Sequence, residues 1–111
     1  LNLLRSPIKF LPKNLTKVGG SLYLIDSQIE KLPDNLVVNG RLDLINCKNL
    51  QELPNGLKVK SSLDLQDTNI RFLPSDLECG TLILWDTPIA DMYTKEQIRK
   101  QSPGIKGAII K

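Results

Sequence analysis

Leucines recur along the chain in three interlocked registers. A Leu-x-Leu pair stands at Leu1/Leu3, Leu22/Leu24, Leu42/Leu44, Leu63/Leu65 and Leu82/Leu84. One aliphatic residue follows each pair, at Ile8, Ile29, Leu50, Ile70 and Ile89. Leu-Pro-x-x-Leu comes next, at Leu11–Leu15, Leu32–Leu36, Leu53–Leu57 and Leu73–Leu77, so the pattern returns about every 20 residues. Leu-x-Leu predicts a short strand with both leucines inward and the middle residue outward. Leu-Pro followed by Lys13-Asn14, Asp34-Asn35, Asn55-Gly56 or Ser75-Asp76 predicts a turn, because proline presets φ and cannot continue a helix. Gly20, Gly40 and Gly80 precede strands, where the chain has to turn inward.

A winding of this length leaves no room for a full helix on its outer side, so extended or 3₁₀ segments are expected there. A single winding also buries too few aliphatic side chains to offset the ordering of its backbone. Neighbouring windings must share their core through a parallel sheet, which predicts a right-handed solenoid, mostly β, with one parallel sheet.

The segment Leu24-Ile-Asp-Ser27-Gln-Ile29 resembles half of a leucine-rich repeat, as do Leu44 with Cys47, Leu65 with Thr68 and Ile70, and Leu84 with Thr87 and Ile89. With Leu-Pro-x-x-Leu, the pattern is similar to the short leucine-rich repeats of bacterial secreted effectors and of phage or bacterial proteins. The resemblance covers residues 1–93 as five rungs and implies a solenoid of the α/β class. Ser, Thr and Cys stand where the family usually has Asn, and the third rung has one extra residue before Leu50.

The fifth rung has Met92-Tyr93 in place of Leu-Pro. Thr94 with Gln97 forms a capping-box pattern and predicts a helix over 95–101, which Ser102-Pro103-Gly104 ends. Ile105-Lys-Gly107-Ala-Ile109 repeats the spacing of Val38-Asn-Gly40-Arg-Leu42 and predicts a terminal strand at about 107–110. Residues 94–111 are therefore expected to cap the array. The chain opens at Leu1 inside the pattern, which raises the expectation of a removed N-terminal segment or of a first rung that docks in a larger assembly or on another copy.

Outward residues of successive strands form columns about 4.8 Å apart per rung. One column is Asn2, Tyr23, Asp43, Asp64 and Ile83; the next is Leu4, Ile25, Ile45, Gln66 and Trp85. An aliphatic patch with Tyr and Trp beside it has the composition of a partner site. Tyr23, Ile25, Asp43, Ile45, Asp64, Gln66, Ile83 and Trp85 are the expected protein-binding residues. Beside them runs Arg5, Asp26, Asn46, Asp67 and Asp86, read as turn residues at the strand exits rather than as a cation site or an acid–base pair. Ser6, Ser27, Cys47, Thr68 and Thr87 follow just inside the coil, where small polar groups can satisfy backbone groups.

Composition narrows the chemistry. The sequence has no histidine, which removes His-dependent nucleophilic catalysis and His-ligated metals. No catalytic residue, metal or cofactor is expected, and an enzyme is not. Aromatics are 5% of the chain, too few for a base-stacking platform. Of the net charge of +3, residues 94–111 contribute +4 and the other 93 residues −1, so no basic stripe crosses the repeats and no nucleic-acid partner is expected. No apolar run is long enough to span a membrane, and no membrane partner is expected. The basic C-terminal run (Lys95, Arg99, Lys100, Lys106, Lys111) is expected to be a solvated face. Cys47 and Cys79 fall in different columns, too far apart to pair, and two free buried thiols would fit a reducing compartment.

Overall fold

A computed structural model describes residues 1–111. Each Leu-x-Leu pair after the first opens a very short strand: β2 (Leu22–Tyr23), β4 (Leu42–Asp43), β6 (Leu63–Asp64) and β8 (Leu82–Ile83). With β10 (Ile109–Ile110) these form a parallel sheet in the order β10-β8-β6-β4-β2. Leu22 pairs with Leu42, Leu42 with Leu63 and Leu63 with Leu82, so the repeat spacing is the pairing register. Asn2 adds an isolated parallel bridge to Tyr23 at one end.

The other side of the coil corrects the one-sheet expectation. The return path of each winding forms a second parallel sheet in the order β1-β3-β5-β7-β9, and no 3₁₀ segment occurs. Its strands are β1 (Lys17–Val18), β3 (Val37–Val38), β5 (Lys58–Val59), β7 (Glu78–Cys79) and β9 (Gly104–Ile105). Val18, Val38, Val59, Cys79 and Ile105 point inward, while Lys58 and Glu78 pair outside at 3.5 Å. The molecule is a mostly β solenoid of about three regular turns, with less regular chain at either end.

Between the sheets every apolar register becomes a buried row. Leu24, Leu44, Leu65 and Leu84 form one, Ile29, Leu50, Ile70 and Ile89 another, and Leu36, Leu57 and Leu77 a third. Leu11, Leu32, Leu53 and Leu73 close the prolyl corner. Backbone ladders join one winding to the next, for example Leu24 N to Asp43 O and Leu44 N to Asp64 O, both 2.9 Å. At the Leu-Pro turns Asn35 (φ 61°) and Gly56 (φ 71°) are left-handed, and a Cβ on Gly56 would collide with the Asn35 side chain, so this corner of the third winding requires glycine.

Two helices interrupt the last winding. α1 (Pro88–Met92) went unforeseen, although Thr87 accepts from Ala90 N as N-cap and Pro88 stands in the first turn, both ordinary start signals. α2 (Lys95–Gln101) carries the Thr94–Gln97 capping box. After α2, Ile105 pairs with Cys79 and Ile109 with Leu82, so the chain re-enters both sheets as two strands rather than one strand over 107–110. The basic run is not simply solvated. Arg99 donates to Ile105 O (3.0 Å) and Gly107 O (2.7 Å), and Lys111 donates to Ala90 O and Tyr93 O, both 2.8 Å. No helix is long and apolar enough to cross a membrane.

Cys47 and Cys79 are free and buried. Burial pushes the Cys79 thiol up to about 11 and also raises that of Cys47, against a lowering hydrogen bond from Ser27. Neither has appreciable thiolate at neutral pH. Alkylation by iodoacetamide at pH 8 should therefore be slow for both in the native protein and rapid in denaturant. Fast native labelling, followed by mass spectrometry, would contradict this packing.

Candidate functional site

The candidate face is built from the strands β2, β4, β6 and β8 and the turn that follows each. Strand pairing places Tyr23, Asp43, Asp64 and Ile83 in one row, with Asn2 before them and Ile110 after. The next row, Leu4, Ile25, Ile45, Gln66 and Trp85, occupies the first corner of each turn. The turns close by Ser6 N to Leu3 O, Ser27 N to Leu24 O, Cys47 N to Leu44 O and Thr68 N to Leu65 O, at 3.0–3.2 Å. Arg5, Asp26, Asn46, Asp67 and Asp86 take the second corner, all at φ between 54° and 60°. Asp and Asn tolerate this left-handed conformation better than most side chains, which is why the column is rich in them.

Inside the turn, the small polar column bonds to the backbone. Thr68 donates to Leu65 O (2.8 Å), Thr87 to Leu84 O (2.7 Å) and the Cys47 thiol to Leu24 O of the preceding winding (2.9 Å). Ser27 and Cys47 share a further hydrogen bond at 3.5 Å. These groups are committed to holding the coil.

The face itself differs from expectation at two positions. Asp43 and Asp64 are not exposed; they retain only 4% and 3% of their surface. Each side chain folds back to accept an amide two residues on, Ile45 N for Asp43 (3.3 Å) and Gln66 N for Asp64 (3.0 Å), as Asn2 does for Leu4 N (3.1 Å). The strand ends there and leaves that amide without a ladder partner, so a short carboxylate supplies one. Arg41 covers both, donating to Asp64 from Nη2 (2.8 Å) and to Asp43 from Nε (3.4 Å). Burial raises the pKa of Asp64, and the neighbouring Asp43 charge adds to this. The Gln66 amide and Arg41 act against it.

Arg41 was not among the expected site residues. Its signal was a lone cation immediately before a Leu-x-Leu pair, where the other rungs have Ser21, Ser62 and Thr81.

Around this polar centre lies the apolar surface. Leu4 and Trp85 are about half exposed, at 48% and 47%. Tyr23, Ile25, Ile45, Gln66 and Ile83 are half-buried and lie between them. The acids of the turn column are not equivalent. Asp26 accepts from Asn46 (2.6 Å) and lies 3.9 Å from Arg5, and Asp67 pairs with Lys48, whereas Asp86 is exposed and has no ion-pair or hydrogen-bond partner. No three His, Cys, Asp or Glu side chains converge as a metal site would require. Comparison with protein-family models, curated proteins and solved structures finds no match.

Proposed function

We propose that the chain is a leucine-rich-repeat module, of the short bacterial or phage type, that binds a protein partner through the face of the β2–β4–β6–β8 sheet and carries out no catalysis. Residues 94–111 act in this reading as the cap that closes the array. The observation that supports binding most is the exposure of Trp85 and Leu4 on one continuous face with Tyr23, Ile25, Ile45 and Ile83. A large exposed aromatic beside aliphatic surface is the usual composition of an interface anchor. Asp43 and Asp64 contribute by fixing the loop amides and Arg41, not by direct contact.

The test is an affinity capture with the full chain, followed by titration of the captured protein. Trp85→Ala and Tyr23→Ala should each weaken binding by about 2 kcal/mol, roughly thirtyfold, with an unchanged unfolding midpoint. Undiminished affinity in both variants would remove the face from the interaction.

A second reading rests on the first winding. Leu1 and Phe10 are more than half exposed, and β1 pairs on one side only, with β3. Such an edge can take up another strand, from a second copy or a larger assembly. Self-association that rises with concentration and is abolished by Leu3→Lys in sedimentation would favour it. A monomer at all concentrations would count against pairing with a second copy.

A further inference from the structure

Resting on the sheet-face reading, we infer that the partner presents an extended segment with a lysine or arginine for the Trp85–Asp86 corner and an aliphatic side chain for Ile25 and Ile45. The turn column runs beside the apolar row, and its charges are already matched at every rung but one. Arg5 and Asn46 serve Asp26, and Lys48 serves Asp67. Asp86 alone is both exposed and unpaired, and it directly follows Trp85, whose indole is half exposed. A carboxylate and an open indole face together favour a cation on an amphipathic stem, which can stack on the ring and reach the acid.

An acidic or wholly apolar segment would leave Asp86 facing a like charge or losing its water without replacement.

The solenoid also sets the spacing. Ile25 and Trp85 occupy the same column three windings apart, about 14 Å at the usual strand separation, while an extended chain advances about 3.3 Å per residue. Ile45 lies two windings away, about 10 Å, so the basic residue should follow or precede the aliphatic one by about three to five positions.

The probe is a displayed library of random decapeptides selected on the full chain, with removal of binders that also hold Trp85→Ala. Selected peptides should be enriched in Lys or Arg at that spacing from Leu, Ile or Val. Their affinity should fall about tenfold in Asp86→Asn and decline with added salt. Asparagine suits this control because Asn46 holds the same left-handed turn position in its own rung, so the unfolding midpoint should not move.

Trp85-dependent peptides without a basic residue, or binding indifferent to Asp86→Asn, would overturn the inference and leave the sheet-face reading intact. A library from which no Trp85-dependent peptide emerges would count against both. In that case, loss of the captured protein's binding in Trp85→Ala would keep the face and reject only the linear basic segment.

Discussion

Leu65→Ala should destabilise the protein by about 3 kcal/mol or more, read as a fall in the urea midpoint with an unchanged slope. Leu65 lies in a middle winding, has no exposed surface, and sits in the row between Leu44 and Leu84. Two costs add: the apolar surface lost, and the cavity that remains. Collapse of that cavity is resisted because the backbone on both sides is tied down. Leu65 N donates to Ile83 O at 2.9 Å, and Leu44 N donates to Asp64 O at 2.9 Å. Leu3 holds the equivalent position in the first winding but is only partly buried. Leu3→Ala should therefore cost less than half as much. Equal effects at the two positions would mean that the inner rows do not form the shared core described above.

Removing the Arg41 side chain by Arg41→Met should cost about 2 kcal/mol, and Asp64→Asn added to it should recover most of the loss. Arg41 is partly open to solvent, so the effect is discounted from that of a fully buried pair. The penalty comes from what it leaves behind: two buried carboxylates side by side, each with a backbone amide but no counter-charge. Asparagine at 64 can still accept from Gln66 N and carries no charge.

The pH dependence gives an independent reading. The folded state raises the Asp64 pKa, chiefly by burial, so it holds that proton more tightly than the unfolded chain. The contribution of this group is most favourable below about pH 4 and declines as pH rises through its folded titration range. The stability of Asp64→Asn relative to the native protein should accordingly improve from about pH 4 to 7, and more steeply in the Arg41→Met background. A difference independent of pH would show that Asp64 is not buried as an ionisable group.

These effects also show what was legible from residues alone. Leu22, Leu42, Leu63 and Leu82 recur at intervals of 20, 21 and 19 residues because each must meet its counterpart in the next winding, and these spacings are the observed register. The second sheet left almost no trace. A strand of two residues such as Lys58–Val59 is too short to alternate, and its outward lysine reads as loop. Asp43 and Asp64 misled for a related reason. An acid between two leucines looks solvent-facing, yet each is two residues ahead of an amide that the ended strand leaves without a partner. Only the paired geometry shows that the carboxylate turns back. Trp85 and Ile45, expected as outward strand residues, lie instead just past β8 and β4, in the turns that follow those strands.

The stacking of windings is the claim on which the face, the core rows and the buried acids all depend, and inter-strand nuclear Overhauser effects test it most directly. Leu24, Leu44 and Leu65 amides should each show contacts across the parallel ladder to Asp43, Asp64 and Ile83, whose carbonyls accept them at 2.9 Å. Contacts confined to sequence neighbours, or an antiparallel pattern between these segments, would contradict the solenoid.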